Sequence, residues 1–330
     1  MAVSYKSAGV DIAAGIQAVN EIKTIVKQTF TPQVLSELGL FGGCYAFPVK
    51  DYREPVLVAS TDGVGTKLMI ANLMNRHNTV GQCLVNHCVN DILTTGAQPL
   101  FFLDYIGTGR LQPETVKEII SGMASACREN GCALIGGEMA EMPGIYNAKD
   151  YDLVGTIIGA VERDRMLSGR VKKGDVLIGL PSTGLHTNGF SLARKVLLAE
   201  HSVTDFIPEL NTTVGDALLA IHRSYLKAVR PFLIDRNLHA LSHITGGGIV
   251  GNTSRVVPAN LTLKIDWEAW KWPPLFEFIR QAGRIDIDEM RKAFNLGIGL
   301  ILICDRSAGD DFFQTLQQAG EPPVFMGEIV

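Results

Sequence analysis

The chain of 330 residues has little charge and few aromatic side chains. Charged residues make up 19% and aromatic residues 7% of it, and 30 basic against 34 acidic residues give a net charge of −4. This near balance provides no general attraction to nucleic acid or to an anionic membrane, so neither is expected as a partner. Apolar residues still make up 46%, which is enough for buried cores and excludes an intrinsically disordered chain.

Paired cysteines and long hydrophobic runs are also missing. The six cysteines, at positions 44, 83, 88, 127, 132 and 304, form no Cys-x-x-Cys pair, so the sequence shows no zinc knuckle or thioredoxin-type site. The longest apolar runs, such as 296–304, cover about nine residues, whereas a membrane-spanning helix needs about 20. Because no secretory signal is readable at the start, we expect a cytoplasmic protein with reduced cysteines.

The length predicts two domains, since a domain has roughly 150 residues. Strand and helix patterns alternate along both halves, which is typical of an α/β protein. A short basic and polar link near 168–174 separates the halves. We therefore predict one domain at 1–168 and a second at 169–330.

Apolar residues at helical spacing predict helices, and apolar runs bounded by proline or glycine predict strands. In the first half, helices are expected at about 11–30, at 79–95 and from 113, with strands near 56–59, 100–106, 133–135 and 153–161. In the second half, strands are expected near 175–180, 240, 261–265, 297–304 and 324, with helices after 189 and at about 214–235, 274–282, 286–294 and 308–319.

Glycine is plentiful, at 34 residues, and the segment Ser60–Lys67 shows why this matters. Backbone N–H groups beside its glycines can point toward an anion. Lys67 offers a positive charge for a phosphate, and Asp62 offers an oxygen ligand for Mg²⁺. The spacing fits neither a P-loop nor a dinucleotide fingerprint. The segment therefore predicts a phosphate site, with a solvated turn as the alternative.

Two more carboxylates lie in polar or glycine-rich surroundings. Asp91 follows Asn90 near the end of a predicted helix, where an acidic side chain is electrostatically unfavourable, and His87 lies one turn before it. Glu138 follows an apolar run and two glycines. We predict that Asp62, Asp91 and Glu138 meet at one Mg²⁺–ATP site, because Mg²⁺ binds a few carboxylates together with phosphates. The alternative is three unrelated, solvent-exposed acids.

A polar segment, 184–191, lies between a predicted strand and a predicted helix. A helix N-terminus favours anions, and the imidazole of His186 titrates near neutral pH. We predict that His186 transfers a proton beside a polar ligand; the alternative is a structural histidine at a helix cap. The histidines at 77, 87, 201, 222 and 239 are expected to be structural.

The segment 243–251, His-Ile-Thr-Gly-Gly-Gly-Ile-Val-Gly, matches the dinucleotide pattern Gly-x-Gly-x-x-Gly. It favours a nucleotide-dependent oxidoreductase as one alternative. Against this, Asp266 lies 15 residues past the last glycine, whereas the pattern places its acidic residue about 20 residues further on. The same glycines can instead bind a phosphate ester.

Nine motifs occur in order across almost the whole chain: Ser4–Asp11, Asp62–Lys67, Val89–Asp91, Phe101–Tyr105, Gly136–Glu138, Glu141–Gly144, His186–Gly189, His243–Gly248 and Phe294–Gly297. Together they closely resemble the phosphoribosylformylglycinamidine cyclo-ligase family, the aminoimidazole ribonucleotide synthetases of purine biosynthesis. The resemblance implies an α/β protein: an α+β N-terminal domain whose mixed sheet forms a barrel across a homodimer, and an α/β C-terminal domain. It also implies ATP and Mg²⁺ as cofactors, with formylglycinamidine ribonucleotide as the substrate.

The motifs and the resemblance together assign a role to each candidate residue. Catalysis is assigned to His186, Asp62 and Asp91, and Mg²⁺ binding to Asp62, Asp91 and Glu138. ATP binding is assigned to Gly63, Gly65, Thr66, Lys67, Asn90 and Glu138. Substrate binding is assigned to Thr187, Asn188, Gly189, Thr245, Gly246, Gly247 and Gly248. In the implied reaction, ATP phosphorylates the formyl amide oxygen, and the amidine nitrogen then closes the ring and expels phosphate.

Several positions differ from the family pattern. Met139 replaces a usual Thr, Thr187 a Ser and Phe190 a Tyr, while Leu296 stands where Cys is frequent and argues against a thiol role there. A non-catalytic ATP-binding regulator remains an alternative besides the oxidoreductase. Enzymes acting on thiamine phosphate or selenide share the aspartate pattern, but we expect them to lack the combination of His186 with Thr245 and its glycines.

Overall fold

A computed structural model describes residues 9–167 and 169–330. The start of the first motif and the predicted boundary residue 168 therefore lie outside the described residues, and the division at 168 stays a prediction. No helix in the described part of the chain is both long and apolar enough to cross a membrane.

The first half forms a four-stranded mixed sheet in the order β1-β4-β2-β3. Its strands are β1 (Pro55–Gly63), β2 (Gln98–Thr108), β3 (Ala133–Glu141) and β4 (Tyr151–Glu162), and its helices are α1 (Ile12–Lys27), α2 (Leu68–Met74), α3 (Asn78–Leu93) and α4 (Pro113–Glu129). β4 is antiparallel to β1 and β2, whereas β2 and β3 run parallel. The parallel pair is joined through α4, as a crossover requires.

Local sequence explains where these helices begin. The Asp11 carboxylate accepts hydrogen bonds from the N–H groups of Ala13 and Ala14, which satisfies two of the free donors at the start of α1. Pro113 occupies the first turn of α4, where its missing N–H costs nothing. Both helix starts agree with the sequence prediction.

The second half forms a five-stranded sheet in the order β8-β10-β5-β11-β9, together with a small two-stranded sheet. Its strands are β5 (Val176–Pro181), β6 (Phe206–Ile207), β7 (Thr212–Thr213), β8 (Leu238–His243), β9 (Leu263–Ile265), β10 (Ile298–Cys304) and β11 (Val324–Ile329). The helices are α5 (Phe190–Leu197), α6 (Val214–Leu219), α7 (Leu226–Val229), α8 (Gly248–Thr253), α9 (Pro274–Gly283), α10 (Ile287–Ala293) and α11 (Gly309–Gln318). The mixed helix and strand content confirms the α/β class, although every pair in the five-stranded sheet is antiparallel.

The helices predicted at about 214–235 are two short helices with an irregular stretch between them. α6 ends at Leu219, and the chain runs without helix until Leu226. In this stretch the backbone carbonyl of His222 accepts from Asn86, and that of Arg223 accepts from Asn90. These hydrogen bonds to α3 replace the helical ones, so a tertiary contact outweighs local helix propensity.

The four-stranded sheet is unequally covered on its two faces. β1 is an edge strand whose residues alternate in exposure, and Leu57 is 64% exposed, whereas Phe102 on β2 is fully buried. Helices α3 and α4 pack together, and α3 also contacts β1 and β4. An exposed apolar edge strand has unpaired backbone groups that can pair with another chain. The barrel across a dimer stays a prediction.

Candidate active site

Side chains from both halves of the chain meet in one polar cluster. Its members are Asp62 near the end of β1, His87 and Asp91 on α3, His186 and Thr187 between β5 and α5, His222 between α6 and α7, and His243 at the end of β8. We call these seven residues the histidine–carboxylate cluster. They are separated by up to 181 positions in sequence, so the fold alone brings them together.

Hydrogen bonds connect one side of this cluster. The Nε2 atom of His87 lies 2.9 Å from the Oδ2 atom of Asp62, and its Nδ1 atom lies 2.7 Å from the hydroxyl of Thr187. The same hydroxyl lies 3.3 Å from Nδ1 of His222. With His87 donating from Nε2 to the carboxylate, its Nδ1 accepts from the Thr187 hydroxyl.

The other side closes the ring of contacts. The Nε2 atoms of His222 and His243 are 3.0 Å apart, and Nδ1 of His243 lies 2.8 Å from Oδ1 of Asp91. The second oxygen of Asp91 accepts from the Ser60 hydroxyl at 3.1 Å and lies 3.8 Å from Nε2 of His87. Nε2 of His222 also faces the amide donor Nδ2 of Asn90 at 3.2 Å, so which of the two imidazoles donates to the other depends on their tautomers. The cluster is thus a continuous proton-bearing network between two carboxylates.

Both carboxylates of the cluster are stabilised in their charged form. Burial alone would raise the pKa of Asp62, but the hydrogen bond and charge of His87, with the N–H of Gly63, lower it below its ordinary value. Burial likewise opposes ionisation of Asp91, and His243 overcomes it and lowers the pKa. Two ionised aspartates are therefore present at neutral pH, as binding of a cation requires.

His186 lies at the enclosed side of the cluster and is only 1% exposed. Its ring stacks on His222 with centroids 4.0 Å apart, and its Nε2 accepts from the N–H of Thr183 at 3.2 Å. Among the described residues, nothing bonds to its buried Nδ1 atom. Burial, followed by the charges of His243 and Lys67, lowers the pKa of His186 well below its ordinary value. The ring is therefore neutral at pH 7, and because Nε2 accepts, its proton lies on Nδ1.

The two predicted substrate segments lie against each other. A Cβ atom on Gly246 would lie 3.2 Å from Oδ1 of Asn188. The segments 187–189 and 245–248 are therefore adjacent and can contact the same ligand. The side-chain amide of Asn252 donates to the carbonyls of Thr245, Gly246 and Gly248. These bonds fix the loop backbone in one conformation, which favours a preformed ligand site.

Three of the predicted substrate-binding glycines adopt left-handed backbone angles that other residues disfavour. The φ angles are 78° at Gly189, 99° at Gly247 and 68° at Gly248. A Cβ on Gly248 would lie 1.9 Å from the carbonyl oxygen of Arg291. Because β8 pairs with its neighbour antiparallel and no parallel pair joins this sheet in the described residues, the dinucleotide fold that the pattern requires is missing. The oxidoreductase alternative is wrong.

The glycine-rich segment Ser60–Lys67 begins as part of strand β1, and the chain turns only after Gly63. Asp62 and Gly63 still belong to β1, and a short 3-10 helix begins at Gly65, whose φ is 69°. The Thr66 hydroxyl lies 3.2 Å from the Ser191 hydroxyl on α5. The ATP-binding roles of Gly63, Gly65 and Thr66 stay predictions.

Lys67 corrects one expectation, since its ammonium group has no exposed surface. The Nζ atom donates to the carbonyl of His186 at 2.9 Å, to the carbonyl of Ala220, and lies 3.2 Å from Sγ of Cys83. Burial lowers the pKa of Lys67. All three contacts lie within the protein, so the structure gives this lysine a role in joining the two halves rather than in presenting charge to a phosphate.

Asn90 requires a similar correction. Its amide is fully buried, where Nδ2 donates to the carbonyl of Arg223 and Oδ1 accepts from the N–H of Tyr225, both at 2.9 Å. The side chain therefore holds the non-helical segment after α6 against α3. Its Nδ2 atom also lies 3.2 Å from Nε2 of His222, so the amide contacts the histidine–carboxylate cluster from within the protein.

Glu138 does not join the other two predicted metal ligands within this chain. It lies on β3, at the edge of the sheet opposite β1, and three strand spacings correspond to about 14 Å. One of its oxygens accepts from the N–H of Met139 at 2.8 Å at the exposed surface. Within this chain Asp62 and Asp91 lie together and Glu138 lies apart from them, so a shared Mg²⁺–ATP site of all three carboxylates stays a prediction.

Sequence reasoning missed two members of the cluster, His87 and His222, which were expected to be structural. The position of His87 one turn before Asp91 was a usable signal, because both side chains share a helix face. His222 had none, since it lies in a stretch predicted as helix and reaches the cluster only because α6 ends early.

The two converging carboxylates fit a metal ion that accompanies a nucleotide. Asp62 and Asp91 both contact His87 and offer the hard oxygen ligands that Mg²⁺ takes beside phosphates. His87, Asp91 and His243 each also place a ligand atom within 4.8 Å of the others. The cluster thus combines cation-binding oxygens with buried imidazoles.

Comparison with known proteins agrees with this arrangement. The family model "AIR synthase related protein, N-terminal domain" matches residues 46–161, and "AIR synthase related protein, C-terminal domain" matches residues 172–330. Among solved structures, a thiamine-monophosphate kinase from Stenotrophomonas maltophilia has a TM-score of 0.71 at 16% identity and covers 94% of this chain and 92% of its own. The hydrogenase maturation protein HypE in complex with ATP has a TM-score of 0.63 at 18% identity, over 94% and 85% of the two chains. These likenesses show a shared fold.

Curated relatives are much closer in sequence. A phosphoribosylformylglycinamidine cyclo-ligase from Alkaliphilus metalliredigens is 46% identical and covers 99% of this chain and 95% of its own length. One from Desulfitobacterium hafniense is 49% identical, over 100% and 97%. The order of the motifs and the full-length match agree, and the chain belongs to the phosphoribosylformylglycinamidine cyclo-ligase family of AIR synthase related proteins.

Proposed function

We propose that this chain converts formylglycinamidine ribonucleotide to 5-aminoimidazole ribonucleotide with ATP, releasing ADP and phosphate. The observation that carries the proposal is the histidine–carboxylate cluster, which places two ionised aspartates beside a neutral histidine and the 187–189 and 245–248 segments. Full-length relatives named for this activity support it. The reaction belongs to de novo purine biosynthesis.

Asp62 and Asp91 are the residues that would hold Mg²⁺. When bound, Mg²⁺ neutralises negative charge on the transferring phosphate, and such a transfer depends mainly on positioning and charge neutralisation. The two aspartates suit this role because their depressed pKa values keep them ionised. The glycine amides at 63 and 65 are proposed to contact the nucleotide phosphates.

His186 is proposed to move the proton during ring closure. Ring closure requires protons to move between the attacking amidine nitrogen and the departing phosphate, and imidazole is the side chain best suited to moving a proton near neutral pH. Because Nε2 of His186 accepts from Thr183, the neutral ring carries its proton on Nδ1, which has no partner among the described residues and is the atom that can donate a proton. The 187–189 and 245–248 segments are proposed to hold the ribonucleotide so that both reacting ends stay close.

A cytoplasmic homodimer is proposed as the working form. The exposed Leu57 on edge strand β1 and the uncovered face of the four-stranded sheet support this proposal, because such an edge is normally paired or covered. Residues 1–168 would carry ATP binding and dimerisation, and residues 169–330 substrate binding. Sedimentation at micromolar concentration tests it: a dimer is expected, and a monomer would contradict the barrel.

Substrate-dependent phosphate release tests the activity itself. Purified protein with Mg²⁺–ATP should release phosphate only when formylglycinamidine ribonucleotide is added, with one aminoimidazole product formed per phosphate. ATP binding without substrate-dependent turnover would instead support a non-catalytic regulator. Thiamine phosphate serves as a control substrate and should give no phosphorylated product.

A further inference from the structure

A second cluster of metal-type ligands lies in the five-stranded sheet, apart from the histidine–carboxylate cluster. Asp175 directly precedes β5, His239 is the second residue of β8, and Asp305 directly follows β10. These strands are neighbours, because Cys304 at the end of β10 pairs with both Val176 and Leu238. One ligand atom from each of the three side chains lies within 4.8 Å of the others.

The Asp175 side chain is fully buried, and only one of its two carboxylate oxygens accepts hydrogen bonds. Its Oδ2 atom accepts from the backbone N–H of Lys172 at 2.9 Å and from Nδ1 of His239 at 2.7 Å. Its Oδ1 atom is buried and has no hydrogen-bond partner among the described residues. Buried polar atoms without a partner are rare in native proteins, and a carboxylate oxygen accepts only from a donor or a cation.

The local charge balance also favours a cation. Two carboxylates lie in this cluster, and Lys172 provides one positive charge through its contact with Asp305 at 2.5 Å. The Lys172 side chain is 60% exposed and, like other lysines, has a long flexible stem. Its ammonium can therefore move away from Oδ2 of Asp305 at little cost in free energy. Asp305 is also held by the backbone N–H and the hydroxyl of Ser307, which keeps its carboxylate oriented.

We propose that Asp175, His239 and Asp305 bind a divalent transition-metal ion of the zinc type. One imidazole nitrogen and two carboxylate oxygens, completed by water, form a four-coordinate set that Zn²⁺ accepts. Ligands at about 2.1 Å from one tetrahedral ion are about 3.4 Å apart, so the observed grouping needs only small side-chain movements. For Nδ1 of His239 to bind the ion, its proton moves to Nε2, and the neutral ring is retained.

The ion would connect the ends of three adjacent strands and is not needed for the proposed reaction. His239 and His243 lie on the same strand, four residues apart, which corresponds to about 13 Å along β8. The site is therefore at the far end of β8 from the histidine–carboxylate cluster. Its occupancy should change stability more than turnover.

Equilibrium dialysis of the chelator-treated full chain against Zn²⁺ tests the proposal. Wild-type protein should bind an ion that Asp175→Asn and Asp305→Asn bind at least 10-fold more weakly, while Lys172→Met binds it more tightly because a competing charge is gone. His201→Gln, which changes a histidine beside a different carboxylate, is the matched control and should bind as wild type. The melting temperature of wild type should rise with Zn²⁺, and this rise should be lost in Asp305→Asn.

A second comparison separates this site from the histidine–carboxylate cluster, which also offers imidazoles. Zn²⁺ binding that persists in His243→Gln and disappears in Asp305→Asn supports the proposal. Binding that disappears in His243→Gln and persists in both aspartate variants overturns it, as does wild-type protein that takes up no Zn²⁺. Asp305 is partly exposed, so its variant remains a usable test even if Asp175→Asn does not fold.

Discussion

Individual side chains in this protein have roles that only their burial reveals. His186 and Lys67 both lie in glycine-flanked motifs, yet one is a neutral ring with a free nitrogen and the other an ammonium with three internal contacts. The motifs predict regions of the chain. A motif does not show whether a side chain faces a ligand or the protein interior. The direction of the Lys67 side chain, for example, depends on the carbonyl of Ala220, 153 positions away in sequence.

Replacement of His186 by Ala should lower kcat by about 10² or more, which is the usual loss when general acid–base help is removed. The KM for ATP should change little, since the aspartates that would hold the metal are untouched. Steady-state kinetics and the melting temperature should be measured on the same sample. A stable variant with wild-type kcat would remove His186 from the mechanism, and His243 would be the next candidate.

Replacement of Lys67 by Met should mainly destabilise the protein. The change leaves the carbonyls of His186 and Ala220 without their charged donor, and buried hydrogen bonds to charged groups are worth about 1.5–3 kcal/mol each. Denaturant unfolding should show a loss of about 3 kcal/mol, while Lys23→Met, at an exposed position, should show almost none. Unchanged stability with a tenfold higher KM for ATP would instead restore the phosphate role.

At the scale of elements, the sequence predicts most helices and strands and fails where tertiary contacts decide. Each predicted element is present, because apolar spacing and end signals are local properties. The break between α6 and α7 depends on amides of α3 more than 130 positions away. The separation of Glu138 from Asp62 within this chain could not be predicted for a related reason: the order β1-β4-β2-β3 puts β3 at the edge opposite β1, and strand order cannot be read from any single strand.

The glycine loop before α8 gives an element-scale prediction. Gly248→Ala should destabilise the protein by about 3 kcal/mol or more, because the new Cβ would overlap the backbone of Arg291 at a left-handed φ. Gly251→Ala is the matched control three residues on, where a Cβ meets nothing within 4 Å, and it should be neutral or slightly stabilising. Equal unfolding midpoints for the two variants would contradict the described loop.

The whole molecule buries several imidazoles at the junction of its halves, and this links its stability to pH. Burial lowers the pKa of His186, His222 and His243 below the ordinary 6.5. Below pH 6.5 the unfolded chain therefore binds more protons than the folded chain, so stability falls as pH falls. The slope should reach about 1.4 kcal/mol per pH unit for each such histidine.

Urea unfolding at pH 7.5, 6.5 and 5.5 measures this slope. His222→Gln should flatten the curve by about one histidine's share, since it removes a ring that must stay neutral in the folded state. A wild-type stability that rises toward pH 5.5 would show that these rings accept protons in place and would contradict the buried neutral network.

The central claim is that the histidine–carboxylate cluster is the site of ATP-dependent ring closure. Phosphate release that depends on formylglycinamidine ribonucleotide, compared between wild type and Asp91→Asn, tests it most directly. Asp310→Asn, at an exposed position in α11, is the control. We expect Asp91→Asn to lower the rate at least 10²-fold with its fold intact, because it removes a carboxylate that would hold the Mg²⁺ ion, whose charge offsets that of the phosphate. Equal rates in folded wild type and Asp91→Asn would contradict the account.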